Sequence, residues 1–128
     1  MNLPEEDERY LKNKGYSFEL HPSEDGNGFL VIIRKFKVSK EKFQEAETDL
    51  MIQIPKGYPD AALDMFWVFP HLRYKENGQF PQNADQMRRV FDKDWQRFSR
   101  HLRDPWKPGV DGLPGYMTLI KKELQNLP

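Results

Sequence analysis

The stretch from Leu50 to Pro70 sets what this chain can fold into. Leu50, Ile52 and Ile54 alternate with Asp49, Met51 and Gln53, the period of a strand with one apolar and one mixed face. Pro55 withholds the N–H that a ladder needs and ends the strand. Gly57 and Pro59 flank Tyr58 in a stiff turn, after which Met65 to Val68 re-enter as a short, mostly apolar strand. Proline fixes the backbone of that turn and the Tyr58 ring is laid over the end of the sheet.

The neighbouring segments supply partners for these strands. Acidic residues after Pro4 and a stop at Gly15 predict a helix over residues 4–14, with Pro4 at the first helical position and Tyr10 and Leu11 on the sheet. Tyr16, Phe18 and Leu20 alternate as a first strand, and His21 to Gly28 is loop by composition. Phe29 to Val38 is a second strand whose centre, Leu30 to Ile33, is apolar enough for burial on both faces. Ser39 to Gln44 is a polar connection from which Phe43 drops to the core. Together these segments predict a four-stranded antiparallel meander in an α+β fold.

After Pro70 the pattern changes. Residues 71–83 are rich in turn formers, with a tight-turn signal at Asn77-Gly78. Met87, Val90, Phe91, Trp95 and Phe98 stand irregularly among charges and predict one or two short helices or turns. Pro105, Pro108 and Gly109 impose a loop around Trp106. Leu113, Tyr116, Met117, Ile120, Leu124 and Leu127 then recur at steps of three and four, the spacing of an amphipathic helix after Pro114.

Composition narrows the function. The 128 residues form a single domain, 1–128, with one core. Twenty basic and twenty acidic residues cancel, so no global field favours nucleic acid or an anionic membrane. No apolar run approaches the roughly 20 residues of a membrane span, and the acidic start is unlike a secretory signal, which predicts a cytoplasmic protein. The chain has no cysteine, which removes disulfides, thiolate metal sites and thiol nucleophiles together. Three scattered histidines without acids at ligand spacing make no metal site, and no cofactor is expected. His21 and His71, each beside a proline, read as loop residues.

Several elements carry a resemblance. The Ile54-Pro55-Lys56-Gly57-Tyr58-Pro59-Asp60-Ala61 turn, Asp64 to Val68, Trp95 to His101, and Trp106-Lys107-Pro108-Gly109-Val110-Asp111-Gly112-Leu113 together resemble the bacterial E2/UBC-like (ubiquitin-conjugating enzyme-like) family designated prokaryotic E2 family E. Leu3-Pro4 near the start belongs to the same likeness. Pro55, Tyr58, Pro59, Trp106 and Pro108 are its fold markers. The resemblance implies a UBC-like fold: N-terminal helix, four-stranded meander, irregular active-site-like segment, C-terminal helix. It also implies a bacterial ubiquitin-like conjugation pathway, since members occur beside genes for E1-like activating enzymes, ubiquitin-like and multi-ubiquitin-like proteins, and JAB-type peptidases. An RWD-type interaction domain would share the meander and the Tyr-Pro turn, but the Trp106 to Leu113 element argues against it.

The chemistry departs from that pattern. A conjugating E2 takes its cargo as a thioester on a cysteine and releases it to an amine. In the resemblance that cysteine follows a His-Pro-Asn element and a Gly, the region of His71, Gly78 and Pro81 here, so Pro81 or Gln82 holds its position. Neither is a nucleophile, and Asn83 is misplaced for an oxyanion-stabilising role. Three readings follow. The chain is a cysteine-free, pseudo-enzyme E2-like module that binds a ubiquitin-like protein or its activating enzyme; or Ser99, His101, Asp111 and Asp64 form an unfamiliar site; or a cysteine was replaced by engineering. In the second reading His101 acts as general base or oxyanion donor; its bland counterpart has His101 anchoring the loop on a backbone carbonyl. Arg97, Arg100 and Arg103 are then solvated or paired with Asp92, Asp94 and Asp104. A hydrolase or nuclease would need such acids and His101 to converge on a pocket. The binding reading assigns the partner surface to Tyr74, Phe80, Pro81, Gln82, His101 and Trp106, and if one aromatic ring is exposed it is expected to be Phe80 or Tyr74.

Overall fold

The computed structural model describes residues 1–102 and 104–125. Its element order is α1 (Glu5–Asn13), β1 (Ser17–Pro22), β2 (Phe29–Lys37), β3 (Glu47–Ile54), β4 (Met65–Phe69), β5 (Gln86–Val90), β6 (Lys93–Ser99) and α2 (Leu113–Gln125). The strands form one antiparallel sheet in the order β1-β2-β3-β4-β6-β5. The fold is therefore α+β, but the sheet has six strands where the sequence predicts four. The additional pair, β5 and β6, lies where short helices or turns are predicted. Leu127 and Arg103 lie outside the described residues.

The helices follow their local sequence. Pro4 is the N-cap of α1 instead of its first residue, and Glu5, Glu6, Asp7 and Glu8 fill the first turn, where the dipole favours negative charge. Glu5–Arg9 and Glu8–Lys12 pair one turn apart on the exposed side. Leu11 is buried. On α2, Leu113, Tyr116, Met117, Ile120 and Leu124 are all fully buried, so the predicted stripe is the packed one. They meet Val31, Ile33, Leu50, Ile52, Phe66, Val68 and Phe98, which form the helix-side face of the sheet.

The opposite face is also buried, and among the described residues no helix covers it. Leu30, Ile32, Met51, Trp67, Val90 and Trp95 make a second apolar cluster there. The double-sided burial predicted for Leu30 to Ile33 is present, each with no exposed surface. The cover is the sheet itself. In a flat sheet β1 and β5 would lie five spacings apart, about 24 Å at the usual strand separation, far beyond the reach of a side chain. Yet Arg88 of β5 donates to Glu24 (2.8 Å) in the β1–β2 loop and to Gln53 (3.0 Å) of β3, and the Phe91 ring lies 5.0 Å from that of His21 in β1. The sheet curls until the β5–β6 hairpin closes over its own far side.

Two backbone features allow this path. A bulge between Ile33 and Phe36 bends β2, with Lys35 at φ 54 and its N–H bonded to Asp49 (3.1 Å). Gly28, at φ +70, brings the β1–β2 loop against β3 so closely that a Cβ would stand 1.8 Å from the Ile54 carbonyl oxygen.

Candidate functional site

The segment between β4 and β5 is pinned at both ends by one side chain. Gln96, on β6 and fully buried, accepts the Leu72 N–H (2.6 Å) through Oε1 and donates through Nε2 to the carbonyls of Leu72 (3.1 Å) and Ala84 (2.9 Å). Leu72 and Ala84 are themselves buried, so backbone groups that water would otherwise serve are satisfied by a single amide. Between these ends the chain closes on itself. Tyr74 N–H donates to Gln79 O (2.8 Å), Gly78 N–H to Tyr74 O (2.9 Å), and the Asn77 side chain accepts the Gln79 N–H (2.9 Å). The predicted Asn77-Gly78 turn is thus formed, with Gly78 at φ +71.

The rings of this segment are half-buried. Tyr74 stacks on Phe43 at 5.9 Å, and their backbones form a β-bridge. Phe80 lies beneath the Arg73 guanidinium at 3.9 Å and at 6.1 Å from the His71 ring. His71 donates through Nε2 to Asp94 O (2.7 Å), which ties the segment to the outer hairpin. Neither Phe80 nor Tyr74 is therefore the exposed ring expected; among the described residues that ring is Phe91, at 53%. Pro81 is buried and Gln82 exposed, on a turn closed by Ala84 N–H to Pro81 O (3.1 Å) with Asn83 at φ 58.

The segment after β6 adjoins this turn, since Ser99 N–H donates to Asn83 O (3.3 Å). Arg100 pairs with Glu123 of α2, and its carbonyl accepts the Tyr116 hydroxyl (3.0 Å). Asp94 pairs with Arg89. Trp106 donates its indole N–H to Pro59 O (2.9 Å), locking the 104–112 loop to the Tyr-Pro turn. Tyr58 completes the junction: its hydroxyl donates to Asp7 of α1 and accepts the Leu113 N–H (2.8 Å) at the start of α2. Burial, then the Asp7 carboxylate, hold the Tyr58 pKa far above its usual value, so the hydroxyl stays a donor. Burial also pushes the Asp7 carboxyl upward, against the Tyr58 hydrogen bond.

Among the described residues, no side-chain hydrogen bond joins the candidates Ser99, His101, Asp111 and Asp64 to one another. The Asp111 carboxylate accepts the Lys107 N–H (2.8 Å) inside its own loop. Asp64 lies beside the end of β6, its carbonyl accepting the Arg100 N–H (3.3 Å). His101 is exposed, and among the described residues neither its ring nor the Ser99 hydroxyl forms a hydrogen bond. His101 therefore does not hold the loop to a backbone carbonyl among these residues. No group of three metal-ligating side chains is present among the described residues.

Comparison with known families decides the kinship. The model of prokaryotic E2 family E matches residues 3–127. The chain belongs to that family. Comparison with curated proteins and with solved structures gave no match. In this E2-like chain the exposed corner between β4 and β5 carries Gln82, and no thiol exists anywhere in the sequence. Its helices include none long and apolar enough to cross a membrane, among the described residues.

Sequence reasoning missed Gln96, which determines the shape of the corner. The run Trp95, Gln96, Arg97, Phe98 carries one apolar and one polar residue on each face of β6, with Trp95 buried on the hairpin side and Gln96 and Phe98 on the other, so no period of two shows. Polar alternation, the usual marker of a strand, is absent in such a case.

Proposed function

We propose that the chain is a non-catalytic E2-like component of a bacterial ubiquitin-like conjugation pathway, docking a ubiquitin-like protein or its E1-like activating enzyme without carrying a thioester. One observation carries the reading: membership of an E2 family over residues 3–127 in a sequence with no cysteine. Thioester exchange rests on a thiolate, which attacks and leaves at low cost. The groups at the corresponding corner are a proline ring and an amide.

The surface favoured for docking is the pinned corner, with Gln82 exposed at its tip, Tyr74 and Phe80 half-buried at its edge and Pro81 buried beneath it, and with His101 and Trp106 on the adjoining segment. The hydrogen bonds of Gln96 and Trp106 hold both segments in place, and a surface ordered before contact loses less entropy on binding. JAB-type peptidases belong to the same setting, and ATP-dependent activation places it in the cytoplasm.

The test is incubation with the cognate activating enzyme, ATP and ubiquitin-like protein. The expected result is non-covalent capture with no reductant-sensitive adduct. An adduct that resists reductant but yields to hydroxylamine would overturn the reading in favour of an oxyester on a hydroxyl group.

A further inference from the structure

Strand β1 is an edge of the sheet, paired with β2 alone. Bonded and non-bonded positions alternate along an antiparallel ladder, and the Ser23 N–H, next in the same register, donates to Gly28 O (3.3 Å). Ser17, Glu19 and His21 therefore direct their backbone groups to β2, and Phe18, Leu20 and Pro22 turn theirs outward. Among the described residues nothing accepts the outward N–H of Phe18 or Leu20.

Edge strands are ordinarily guarded by lysines, bulges or extreme shortness. β1 runs for six residues without a lysine, pairs with β2 without a bulge, and has its proline only at the last position. Apolar groups flank the open ladder on both faces. Phe18 and Leu20 are half-buried on the helix side, and on the other side the exposed Phe91 ring lies 5.0 Å from that of His21. The chain has no net charge, so no long-range repulsion holds two copies apart.

We infer that β1 pairs antiparallel with β1 of a second copy of this chain, across a two-fold axis at Leu20, so that the two sheets become one. Outward positions must meet outward positions, which leaves few symmetric registers. One centred on Glu19 sets two carboxylates opposite each other, which is destabilising. One centred on Phe18 calls on Tyr16, whose N–H is already given to Leu11 O (3.1 Å). One centred on His21 joins only Leu20 and Pro22, and proline has no N–H to return. Centred on Leu20, the register lets Leu20 exchange both bonds with its copy, and the Phe18 N–H meets the Pro22 carbonyl of the second copy. Phe18 and Leu20 then face Pro22 and Leu20 of the second copy on the helix side. On the other face Glu19 stands opposite His21 of the second copy. Within one chain Glu19 already accepts from His21 (2.7 Å), so carboxylates and imidazoles alternate around the axis. Such a contact is isologous and closes at two copies. The inference does not depend on the docking function proposed for the corner between β4 and β5.

The test is sedimentation equilibrium of the full chain from about 10 µM to about 1 mM. The expected result is a monomer–dimer equilibrium that ends at the dimer. Leu20→Pro removes an N–H that the β1–β2 ladder does not use and is expected to weaken the dimer at least about tenfold while keeping the amide spectrum of the fold. Single thiols read the register, since the chain has no cysteine of its own. The Cα atoms of Leu20 and its copy would stand about 5.5 Å apart, inside disulfide range, so Leu20→Cys is expected to give a reductant-sensitive dimer under mild oxidation. Phe18 would stand about 14 Å from its copy, and Phe18→Cys is expected to stay unlinked. Should Leu20→Pro fail to fold, the two thiol variants decide. A chain monomeric to the top of the range would overturn the inference and leave the edge to an extended segment of another protein. Association that runs on past two copies would overturn it in favour of β1 pairing with β5 of the next copy. Equal linking of both thiols, or a dimer undiminished in folded Leu20→Pro, would overturn the register and the edge respectively.

Discussion

The two faces of the sheet are buried by different means, and the contrast explains much of the molecule. On one face, helix α2 and the Leu11 side of α1 lay apolar stripes against Val31, Ile33, Leu50 and Phe66, with polar contacts such as Arg100–Glu123 and Tyr58–Asp7 at the helix ends. On the other, β5 and β6 fold back over Leu30, Ile32, Met51 and Trp67, and the closure is partly ionic, through Arg88 to Glu24, while Arg34 pairs with Glu19 and Asp49 across the neighbouring strands β1 to β3. The helix side is a conventional two-layer core. The hairpin side is a seam, held at its rim by charged groups that water reaches.

The sharpest way to break this comparison is to remove one large ring from each side. Phe66, stacked on Phe98 at 4.8 Å, and Trp95, whose indole donates to Val90 O at 3.1 Å, are both essentially fully buried. Replacement of either by alanine is expected to cost about 3–5 kcal/mol by chemical denaturation. The two should differ in where amide protection is lost. Phe66→Ala should weaken all strands together, and Trp95→Ala should open β5 and β6 first. Uniform loss in both variants would show that the hairpin is no separate unit.

Gln96 tests the join between the seam and the corner. Gln96→Leu keeps the volume and strips three hydrogen bonds, leaving buried groups of Leu72 and Ala84 without partners. At about 1–3 kcal/mol per orphaned group, with some relaxation, a loss of about 2–4 kcal/mol is expected. Limited proteolysis should move to Arg73 and Lys75. Resistance equal to the parent chain would mean that Tyr74 on Phe43 suffices to hold the segment.

Acid and base should loosen opposite sides. Hydrogen bonds from Arg34, then from His21, hold the Glu19 carboxyl down to about 2, and the Ser23 hydroxyl with the Asn27 N–H and Gln53 does the same for Asp25, also to about 2. Depressed carboxyls contribute stability above their unfolded pKa of about 4 and lose it as pH falls through the folded value. Asp7 has the opposite sign. Its carboxyl is raised by burial, so its contribution is full below about pH 4 and is lost as pH rises through the raised value. Asp7→Asn should remove that decline from a melting-temperature profile. The rim acids are half-exposed and worth under about 1 kcal/mol each, so added salt should shrink the acid-side effect.

The helix side was legible in the sequence because each covering element carries its own period: steps of three and four in α2, alternation in β1 and β3. The Tyr-Pro turn was legible too, since Pro55, Gly57 and Pro59 act locally. The seam was not. Phe91 and Asp92 turn the β5–β6 hairpin with φ of 52 and 60, a two-residue geometry usually announced by Asn-Gly or Asp-Gly, and neither dipeptide is present there. The sequence did carry an Asn-Gly signal, at 77–78, inside the loop instead. Exposure of Tyr74 and Phe80 was misjudged for a related reason, because the covering groups, Phe43 and Arg73, arrive through loop geometry. Of the candidate site, the corner was found from the resemblance, whereas Gln96, which fixes it, required the register of β6 against β4.

The smallest expected structural effect belongs to the variant that tells most about function. Gln82 is exposed at the turn held between Pro81 and Ala84, so Gln82→Cys should change stability by no more than about 0.5 kcal/mol. If the corner docks the activating enzyme as proposed, the new thiol stands where a thioester would be received, and exchange from the activating enzyme needs only an accessible thiolate. A reductant-sensitive adduct with the ubiquitin-like protein is expected from the variant and none from the parent chain. Transfer onward to an amine should stay slow, because no base is in place: His71 is spent on Asp94 O and lies against Phe80, and His101 makes no hydrogen bond among the described residues. Capture of the activating enzyme without any adduct would separate docking from the corner and move the interface to another face. An adduct that forms and is then discharged rapidly to lysine would show that this corner retains more of a conjugating site than its side chains indicate.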